Sequence, residues 1–206
     1  FKAKTIIIAT GAVPRELGVP GEKELVGRGV GYCATCDGMF YRNKTVMVIG
    51  GGNTAAADAM TLSRICEKVI LVHRRDSLRA TKVYHKQLEE TPNIEFYWNT
   101  TVREFLYDKK LTGAKLHNVK TGEDTEIPVD GAFISIGRKP SSELFKGILA
   151  MDEAGYIIAD ESTRTNISGV FAIGDVRTKA LRQVVTAVAD GATASHYIEE
   201  YLAHQM

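Results

Sequence analysis

The chain alternates short apolar runs with segments of helical spacing. Residues 4–9 and Thr45–Ile49 are rich in β-branched side chains, which favours two buried strands. The spacing and the several alanines of residues 53–66 predict a helix, and residues 69–72 predict a third strand. Strand, helix and strand together form one βαβ unit of about 30 residues.

The same alternation continues through the rest of the chain. We predict a second helix over residues 76–90, a strand over residues 94–98 and a buried strand over residues 131–136. The other predicted elements are a hairpin of residues 102–107 and 111–119, strands near Thr125 and over residues 156–159 and 170–173, and a terminal helix over residues 183–203.

Two breaks in the pattern suggest the domain organisation. Residues 13–31 contain two prolines and five glycines, which is typical of a connection between domains rather than of one element. The segment from Gly137 to Pro140 stops the last buried strand in a similar way. The intervening residues therefore have the arrangement of an inserted domain.

Composition describes an ordinary globular protein of 206 residues, with 44% hydrophobic and 25% charged residues. The net charge of +1 gives no reason to expect a nucleic-acid or membrane partner. The sequence has no apolar run of about 18 residues and no signal peptide before the first strand, so we expect a soluble, cytosolic protein. It begins at Phe1 within an apolar pattern, which indicates the carboxyl-terminal part of a longer protein.

A glycine-rich turn joins the second predicted strand to its helix, as Gly50-Gly51-Gly52-Asn53-Thr54-Ala55. Gly50 permits a tight turn, Gly52 lets the backbone approach a pyrophosphate, and the small Ala55 lets the helix pack closely on the strand. The helix amino terminus then faces the negative charge. A glycine-rich turn alone is weak evidence, but this placement within a βαβ unit predicts a dinucleotide site.

Basic residues follow the next strand, where a site for NAD usually has an acidic residue. His73, Arg74 and Arg75 begin 23 residues after Gly50, and Arg79 comes one helical turn later on the predicted helix. Seven lysines and arginines oppose two acidic residues over positions 64–86, a local balance of +5. A solvated basic helix face would explain this cluster, but planar guanidinium groups at this place favour the 2′-phosphate of NADP.

Cys33 and Cys36 are separated by the small residues Ala34 and Thr35. Such a pair can be half of a zinc site, two inert core thiols or a redox dithiol. Zinc would need two more ligands at a suitable spacing, and burial of both thiols is hard to arrange in a glycine-rich stretch. The redox interpretation is therefore favoured, and Cys66 is expected to be a buried small hydrophobic residue.

Asp37 directly follows the second cysteine of the pair. Its carboxyl group can carry the proton that a thiol loses or gains when a disulfide opens and closes. The alternative role is a cap for a helix or turn before Gly38. A nicotinamide delivers a hydride and does not efficiently reduce a protein disulfide by itself, so a flavin is expected between the two.

Several segments together resemble the low-molecular-weight, NADPH-dependent thioredoxin reductases, along essentially the whole chain. The segments that carry the resemblance are Tyr32 to Gly38, Gly50 to Ala55, His73 to Asp76 with Arg79 and Ala80, Phe171 to Asp175, and Thr5 to Gly11. The resemblance implies a Rossmann-like, three-layer ββα domain for NADPH, residues 14–139, inserted into an FAD-binding domain of similar fold. Residues 1–13 and 140–206 would belong to that second domain.

The resemblance also implies roles for individual residues. The flavin would lie near Thr10 and Gly11, near Gly174 and Asp175, and under the segment Arg182, Gln183 and Val184. In the family, the cysteine that matches Cys36 faces the flavin, the cysteine that matches Cys33 exchanges with thioredoxin, and Asp37 matches the expected acid. A domain rotation about hinges near Val13-Pro14 and Arg138 to Pro140 would present the nicotinamide and the dithiol to the flavin in turn. The family is typically homodimeric.

The chain departs from this family in two ways. The family's first FAD-binding unit, with its own glycine-rich turn, has no counterpart in the sequence, so we expect weak FAD binding or none by these residues alone. Ala57 and Asp58 stand where the family often has two acidic residues. The flavoprotein reductases of peroxiredoxin systems share the fold and the dithiol but usually have Pro-His between the cysteines. A non-catalytic NADP-binding module and a zinc-clipped regulatory domain are the alternatives from other functional classes.

Overall fold

A computed structural model of the chain describes residues 2–205, and the secondary structure below refers to those residues. The strands are β1 (Ile6–Ile8), β2 (Ala12–Pro14), β3 (Val30–Gly31), β4 (Thr45–Ile49), β5 (Lys68–Val72), β6 (Ile94–Tyr97), β7 (Thr100–Tyr107), β8 (Leu111–Asn118), β9 (Asp124–Pro128), β10 (Gly131–Ile134), β11 (Arg138–Pro140) and β12 (Val170–Ala172). The α-helices are α1 (Ala34–Asp37), α2 (Asn53–Ser63), α3 (Lys82–Glu89) and α4 (Val184–Ala203). None of these helices is long and apolar enough to cross a membrane.

The chain divides into two compact units. Unit 1 consists of Phe1–Pro14 and Arg138–Met206, and unit 2 consists of Arg15–Gly137. These bounds differ by one or two residues from those predicted at residues 13 and 139. The assignment of FAD to unit 1 and of NADPH to unit 2 stays a prediction.

A five-stranded parallel sheet with the order β3-β10-β4-β5-β6 forms the centre of unit 2. The central strand β4 is buried from Val46 to Ile49, and its side chains alternate between the two faces. Met47 and Ile49 belong to one hydrophobic cluster, whereas Val46 and Val48 belong to another. The apolar run is continuous because both faces of a parallel sheet are covered.

Each face of this sheet is covered by a different layer. The first cluster includes Phe105, Leu116 and Ile127 of the antiparallel sheet β7-β8-β9. The second includes Leu62 of α2 and Leu88 of α3. Unit 2 is thus an antiparallel sheet, a parallel sheet and a helical layer, and the predicted α/β fold with a parallel sheet is confirmed.

Two predicted elements and the two predicted breaks differ from the structure. Residues 76–81 form bends rather than the first turns of a helix, and α3 begins only at Lys82. Residues 156–159 make isolated bridges, through Ile157, instead of a strand. The two segments predicted as breaks contain short strands, since β2 pairs antiparallel with β11, and β3 joins the sheet of unit 2.

Unit 1 is built around the parallel pair of β1 and β12, in which Ile8 lies opposite Ala172. Ile8 and Ala172 pack in one cluster with Ile157 and Val176. Ile6 and Ile7 of the same strand remain exposed, at 54% and 47%. The apolar core of unit 1 therefore lies at the carboxyl-terminal end of β1.

A buried group of charges joins α4 to the turn that follows β12. Both carboxylate oxygens of Asp190 accept from the guanidinium of Arg177, each at 2.8 Å. The ammonium of Lys179 and the backbone amide of Gly174 also donate to Asp190, at 2.8 and 2.7 Å. Burial by itself raises the pKa of Asp190, but these donors outweigh it and lower the pKa to about 2. Asp190 therefore stays ionised and holds the Gly174 turn against the helix.

Replacement of this carboxylate should strongly destabilise the chain. Asp190→Asn removes the buried anion of Arg177 and Lys179 and leaves only the exposed Glu161, 3.7 Å from Arg177, which costs about 3–5 kcal/mol of unfolding free energy. Because the folded pKa lies below the unfolded value of about 3.9, the contribution of Asp190 is complete above pH ~4 and is lost as the pH falls toward 2. Urea titrations followed by circular dichroism at several pH values measure both effects.

The matched control for this prediction is Glu200→Gln, which breaks the exposed pair between Arg164 and Glu200. An exposed ion pair contributes about 0–1 kcal/mol, so the control should unfold at nearly the same urea concentration as the unmodified chain. Equal unfolding midpoints for the two variants would show that the buried network does not stabilise unit 1.

Candidate nucleotide, dithiol and flavin sites

The glycine-rich turn begins immediately after the central strand β4. Gly50 has a φ of +151°, and a Cβ atom there would lie 2.4 Å from the Ser135 carbonyl oxygen and 2.8 Å from the Ala55 Cβ. Its amide donates to the Val72 carbonyl at 3.0 Å. Only glycine fits between these neighbours, as the predicted tight turn requires.

The next two glycines have different surroundings. A Cβ atom on Gly51 would lie 2.3 Å from the imidazole ring of His73, so this glycine is required by packing. Gly52 has nothing within 4 Å of the corresponding position. Gly52 is also the N-cap of α2 and supplies no side-chain hydrogen bond to the first turn, where Asn53 and Thr54 are exposed. The helix amino terminus is thus open to an anion, and a pyrophosphate fits there.

The basic residues lie on the loop that follows β5. Arg74, Arg75 and Arg79 are exposed, and no ion pair joins them to an acidic side chain within residues 2–205. Arg79 was predicted on a helix, but it lies in a loop that is tied to the glycine-rich turn. The Gly51 carbonyl accepts from the amides of Arg79 and Ala80, at 2.7 and 3.0 Å. The Asn53 side chain accepts from the Thr81 amide at 2.8 Å. Residues 73–81, the basic loop, are therefore hydrogen-bonded directly to the glycine-rich turn.

His73 lies beneath the turn and is only 5% exposed. Burial lowers the pKa of His73, and the positive charges of Arg79, Arg75 and Arg74 lower it further, so the imidazole is neutral at pH 7. Its Nε2 atom is buried without a hydrogen-bond partner in the described chain. Arg74, Arg75 and Arg79 are exposed on the loop that begins at His73, and their guanidinium groups form a donor set that suits a phosphate.

Asp58 and Ser135 meet at the same edge of the sheet, which sequence reasoning missed. The Ser135 hydroxyl donates to the Asp58 carboxylate at 2.6 Å. Burial raises the pKa of Asp58, and the hydrogen bond from Ser135 partly offsets this rise. The two residues are 77 positions apart, so only the parallel arrangement of β4 and β10 brings them together.

The dithiol segment forms a short helix that packs on α2. Cys33 is the N-cap of α1, and its sulfur accepts from the Cys36 amide at 3.2 Å. Cys33 and Cys36 form a disulfide with their Cα atoms 5.2 Å apart, and Cys36 is the more exposed of the two. A Cβ atom on Gly38 would lie 3.0 Å from a methyl group of Leu62, so the turn after the dithiol lies directly against α2.

Asp37 ends α1, and its side chain makes no capping hydrogen bond to the short 3₁₀ turn Gly38–Tyr41 that follows. Its Oδ2 atom lies 3.3 Å from the place where a Cβ atom would be on Gly31. Burial, and then the charge of Asp37, raise the pKa of the nearby Tyr41. Asp37 directly follows Cys36, and its role as the acid of the dithiol stays a prediction. Cys66 is buried as predicted, and burial raises the pKa of its thiol to about 11.

The residues predicted for the flavin all belong to unit 1. Gly11 has a φ of +72° and accepts from the Ser141 amide at 2.9 Å, while the Thr10 hydroxyl donates to the Ser141 carbonyl at 2.6 Å. Gly174 and Asp175 lie in the turn after β12, where Arg138 approaches the Asp175 carboxylate at 3.8 Å.

The remaining three predicted flavin residues lie just before and at the start of α4. Arg182 lies over the ring of Tyr156, 3.9 Å from its centroid, and donates to the Arg177 carbonyl at 3.3 Å. Its Nε atom is buried without a partner in the described chain. Gln183 is the N-cap of α4, and Val184 is 82% exposed. The Asp175 carboxylate and the unpaired Arg182 nitrogen suit the hydroxyl and carbonyl groups of a flavin cofactor. The first turn of α4 is itself capped, since the Gln183 amide donates to the Thr186 hydroxyl at 3.1 Å.

Comparison with known proteins identifies the family of the chain. The family model for the pyridine nucleotide-disulphide oxidoreductases matches residues 1–191. The chain belongs to this family. The resemblance to the thioredoxin reductases is confirmed as well, because every relative below carries that name.

Two curated members of the family are the thioredoxin reductase of Peptoclostridium acidaminophilum, 48% identical over 208 residues, and that of Listeria monocytogenes, 47% identical over 203 residues. Each alignment covers 98% of this chain, but the chain spans only 66% and 64% of the lengths of these relatives.

Solved structures from the family have the same fold. The thioredoxin reductase from Streptococcus pyogenes has a TM-score of 0.91 at 44% identity, over 97% of this chain and 66% of the other. The enzyme from Giardia duodenalis has a TM-score of 0.90 at 36% identity, over the same shares.

The two neighbouring glycines give a test of the nucleotide site that separates folding from binding. Gly51→Ala should lower the urea midpoint of unfolding, because its methyl group overlaps the His73 ring. Gly52→Ala should leave that midpoint unchanged, because the space around Gly52 is open. The same substitution should still weaken the binding of a dinucleotide by at least tenfold. Urea titration and calorimetric titration with NADPH measure the two quantities. Unchanged NADPH binding by Gly52→Ala would show that the pyrophosphate does not approach this turn.

Proposed function

We propose that this chain carries the relay of a flavoprotein disulfide reductase, in which electrons pass from NADPH through FAD to Cys33–Cys36 and then to thioredoxin. The observation that carries the proposal is that the dithiol segment packs against the same helix, α2, that begins at the dinucleotide turn. The amino terminus of α2 begins at the Gly50–Gly52 turn, and Leu62 near its other end supports the dithiol segment. A two-electron donor and a two-electron acceptor thus share one rigid support.

NADPH would be held by backbone and side chains of unit 2. The turn from Gly50 to Ala55 and the open start of α2 would bind the pyrophosphate. Arg74, Arg75 and Arg79 would bind the 2′-phosphate, with the neutral His73 as the packed support beneath the turn. The exposed arginines supply the charge, and the bonds from Gly51 and Asn53 hold their loop in place.

FAD would be held by unit 1, at Thr10 and Gly11, at Gly174 and Asp175, and at Arg182, Gln183 and Val184. A bound flavin supplies the two-electron chemistry that links a nicotinamide to a disulfide. Asp175 would accept from hydroxyl groups of the cofactor, and the Asp190 network would fix the turn that presents it. The family resemblance further supports assembly of the protein as a homodimer.

The dithiol can perform a complete exchange with a partner disulfide. The Cys33 thiolate attacks one partner sulfur, forms a mixed disulfide and expels the other partner sulfur as a thiolate. Cys36 then attacks the Cys33 sulfur, which restores the Cys33–Cys36 disulfide and releases the reduced partner dithiol. The two partner thiolates take up protons, and Asp37 can hold the proton that Cys36 loses before its attack.

The surface beside the dithiol suits a protein partner. Met39 and Phe40 follow the dithiol helix directly and are 56% and 76% exposed. An exposed aromatic ring with an adjacent methionine is typical of a contact surface rather than of a solvated turn. The named relatives are thioredoxin reductases, which supports thioredoxin as that partner.

The choice of NADPH over NADH can be tested on the chain itself. The double substitution Arg74→Ala with Arg75→Ala should weaken the binding of 2′,5′-ADP by at least tenfold, because two guanidinium donors to the 2′-phosphate are lost. Binding of 5′-AMP, which lacks that phosphate, should change by less than about twofold. Calorimetric titration measures both constants. An equal loss for the two ligands would refute the 2′-phosphate assignment.

The roles of the two cysteines can be separated by a trapping reaction. Thioredoxin that keeps only its attacking cysteine is activated as a mixed disulfide with thionitrobenzoate. It is then mixed with each variant that keeps one cysteine of the Cys33–Cys36 pair. Cys36→Ser, which keeps Cys33, should release thionitrobenzoate at least tenfold faster than Cys33→Ser, with formation of a protein–protein disulfide. Exposure alone predicts the reverse order, because Cys36 is the more exposed cysteine.

The control for this reaction is the variant without either cysteine of the pair. It retains Cys66, whose pKa of about 11 leaves almost no thiolate at pH 8, so it should not react. A faster reaction of Cys33→Ser would reverse the two roles. Reaction with a peroxidase-linked carrier in place of thioredoxin would favour the reductase of a peroxiredoxin system.

A further inference from the structure

The antiparallel sheet of unit 2 reaches the basic loop through the turn between β8 and β9. The Lys120 ammonium donates to the Asp76 carboxylate at 3.2 Å, and Asp76 follows Arg75 directly in the sequence. The two residues are 44 positions apart. A lysine from a different layer of the unit thus neutralises the acidic residue nearest in sequence to the phosphate-binding arginines.

Backbone hydrogen bonds hold this lysine in register with the basic loop. The Asn99 amide donates to the Arg75 carbonyl at 3.0 Å, and the Val119 amide donates to the Asn99 carbonyl at 2.7 Å. The Asn118 side chain accepts from the Lys120 amide at 2.9 Å and fixes the turn. A chain of two backbone hydrogen bonds, from Val119 to Asn99 and from Asn99 to Arg75, therefore places Lys120 beside Asp76.

The ion pair contributes little to folding. The side chains of Lys120 and Asp76 are 61% and 67% exposed, and such pairs stabilise proteins only weakly. Lys120, first by its hydrogen bond and then by its charge, lowers the pKa of Asp76, so the carboxylate is fully ionised at pH 7. An ionised carboxylate at this place without a counter-ion would repel a 2′-phosphate dianion and would compete with it for Arg74, Arg75 and Arg79.

We propose that Lys120 is a specificity-determining residue for the 2′-phosphate, because it neutralises Asp76 and keeps that carboxylate from the arginines of the basic loop. Lys120 thus adds a contribution from the antiparallel sheet to a site that the sequence assigns to the βαβ unit alone. The inference rests on the proposed NADPH site, since it concerns the charge around the same phosphate.

A double-mutant cycle with the complete 206-residue chain tests the inference, with 2′,5′-ADP and 5′-AMP as ligands in low-salt buffer. Lys120→Met should weaken the binding of 2′,5′-ADP by roughly three- to tenfold, because one unit charge is lost near a dianion in water. Asp76→Asn should strengthen the binding of 2′,5′-ADP by a similar factor. The double variant should bind 2′,5′-ADP with the affinity of the unmodified chain. The effect should shrink in 0.5 M salt, where charges are screened, and 5′-AMP should bind each variant about equally.

Lys23→Met is the matched control, because it removes the lysine of another exposed ion pair in unit 2, Lys23–Glu16. It should bind 2′,5′-ADP as the unmodified chain does. Equal weakening by Lys23→Met and Lys120→Met would overturn the inference in favour of overall charge, and no weakening by Lys120→Met would overturn it outright.

The outcome for the unmodified chain separates the inference from the proposed function. If the unmodified chain prefers 2′,5′-ADP to 5′-AMP but Lys120→Met keeps the full preference, the inference fails and the NADPH site stands. If the unmodified chain shows no preference, the proposed NADPH specificity itself fails, and the role of Lys120 fails with it.

Discussion

The position of β4 at the centre of the parallel sheet determines where unit 2 can carry chemistry. This strand is hydrogen-bonded on both edges, to β10 and β5, and is buried on both faces from Val46 to Ile49. A polar ligand can therefore reach the strand only at its ends. Gly50 occupies the carboxyl end, and His73 and Ser135 follow the two neighbouring strands at the same edge. Parallel pairing thus gathers the turn, the basic loop and the pair of Asp58 and Ser135 into one place.

The parts of unit 2 that the sequence predicted well are those in which a local pattern decides the structure. The apolar run Thr45–Ile49 could only be a strand with two covered faces, and the glycine-rich turn had to follow it. Residues 76–81 were predicted as helix and form a loop instead. The backbone amides of Arg79 and Ala80 donate to the Gly51 carbonyl, and that of Thr81 donates to the Asn53 side chain, 28 positions earlier. A hydrogen bond over that distance leaves no signal in the local spacing of polar and apolar residues.

In unit 1, too, the local sequence pattern does not reveal a residue whose position depends on distant partners, in this case a buried charge. Helix α4 was predicted from its pattern, yet nothing in that pattern distinguishes Asp190 from the exposed acidic residues Glu199 and Glu200 of the same helix. Its burial depends on Arg177 and Lys179, which come from the segment before the helix. Because Gly174 donates to the same carboxylate, this buried network also fixes the turn that carries Asp175. A stabilising interaction and a predicted cofactor contact are therefore parts of one structure.

The connection between the units follows from this division of residues. The dithiol and the dinucleotide turn lie on unit 2, whereas the residues predicted for the flavin lie on unit 1, so the proposed relay needs both unit 2 sites to reach one flavin. The chain passes between the units twice, and the two passages run side by side, since β2 pairs with β11 and the Arg15 amide donates to the Gly137 carbonyl at 3.0 Å. The hinges predicted from the family resemblance, Val13-Pro14 and Arg138 to Pro140, thus coincide with the paired strands β2 and β11, and rotation about them stays a prediction. Gly137 lies directly before β11 with a φ of +101°, a conformation that favours glycine, so the chain can turn at this passage without a strained side chain.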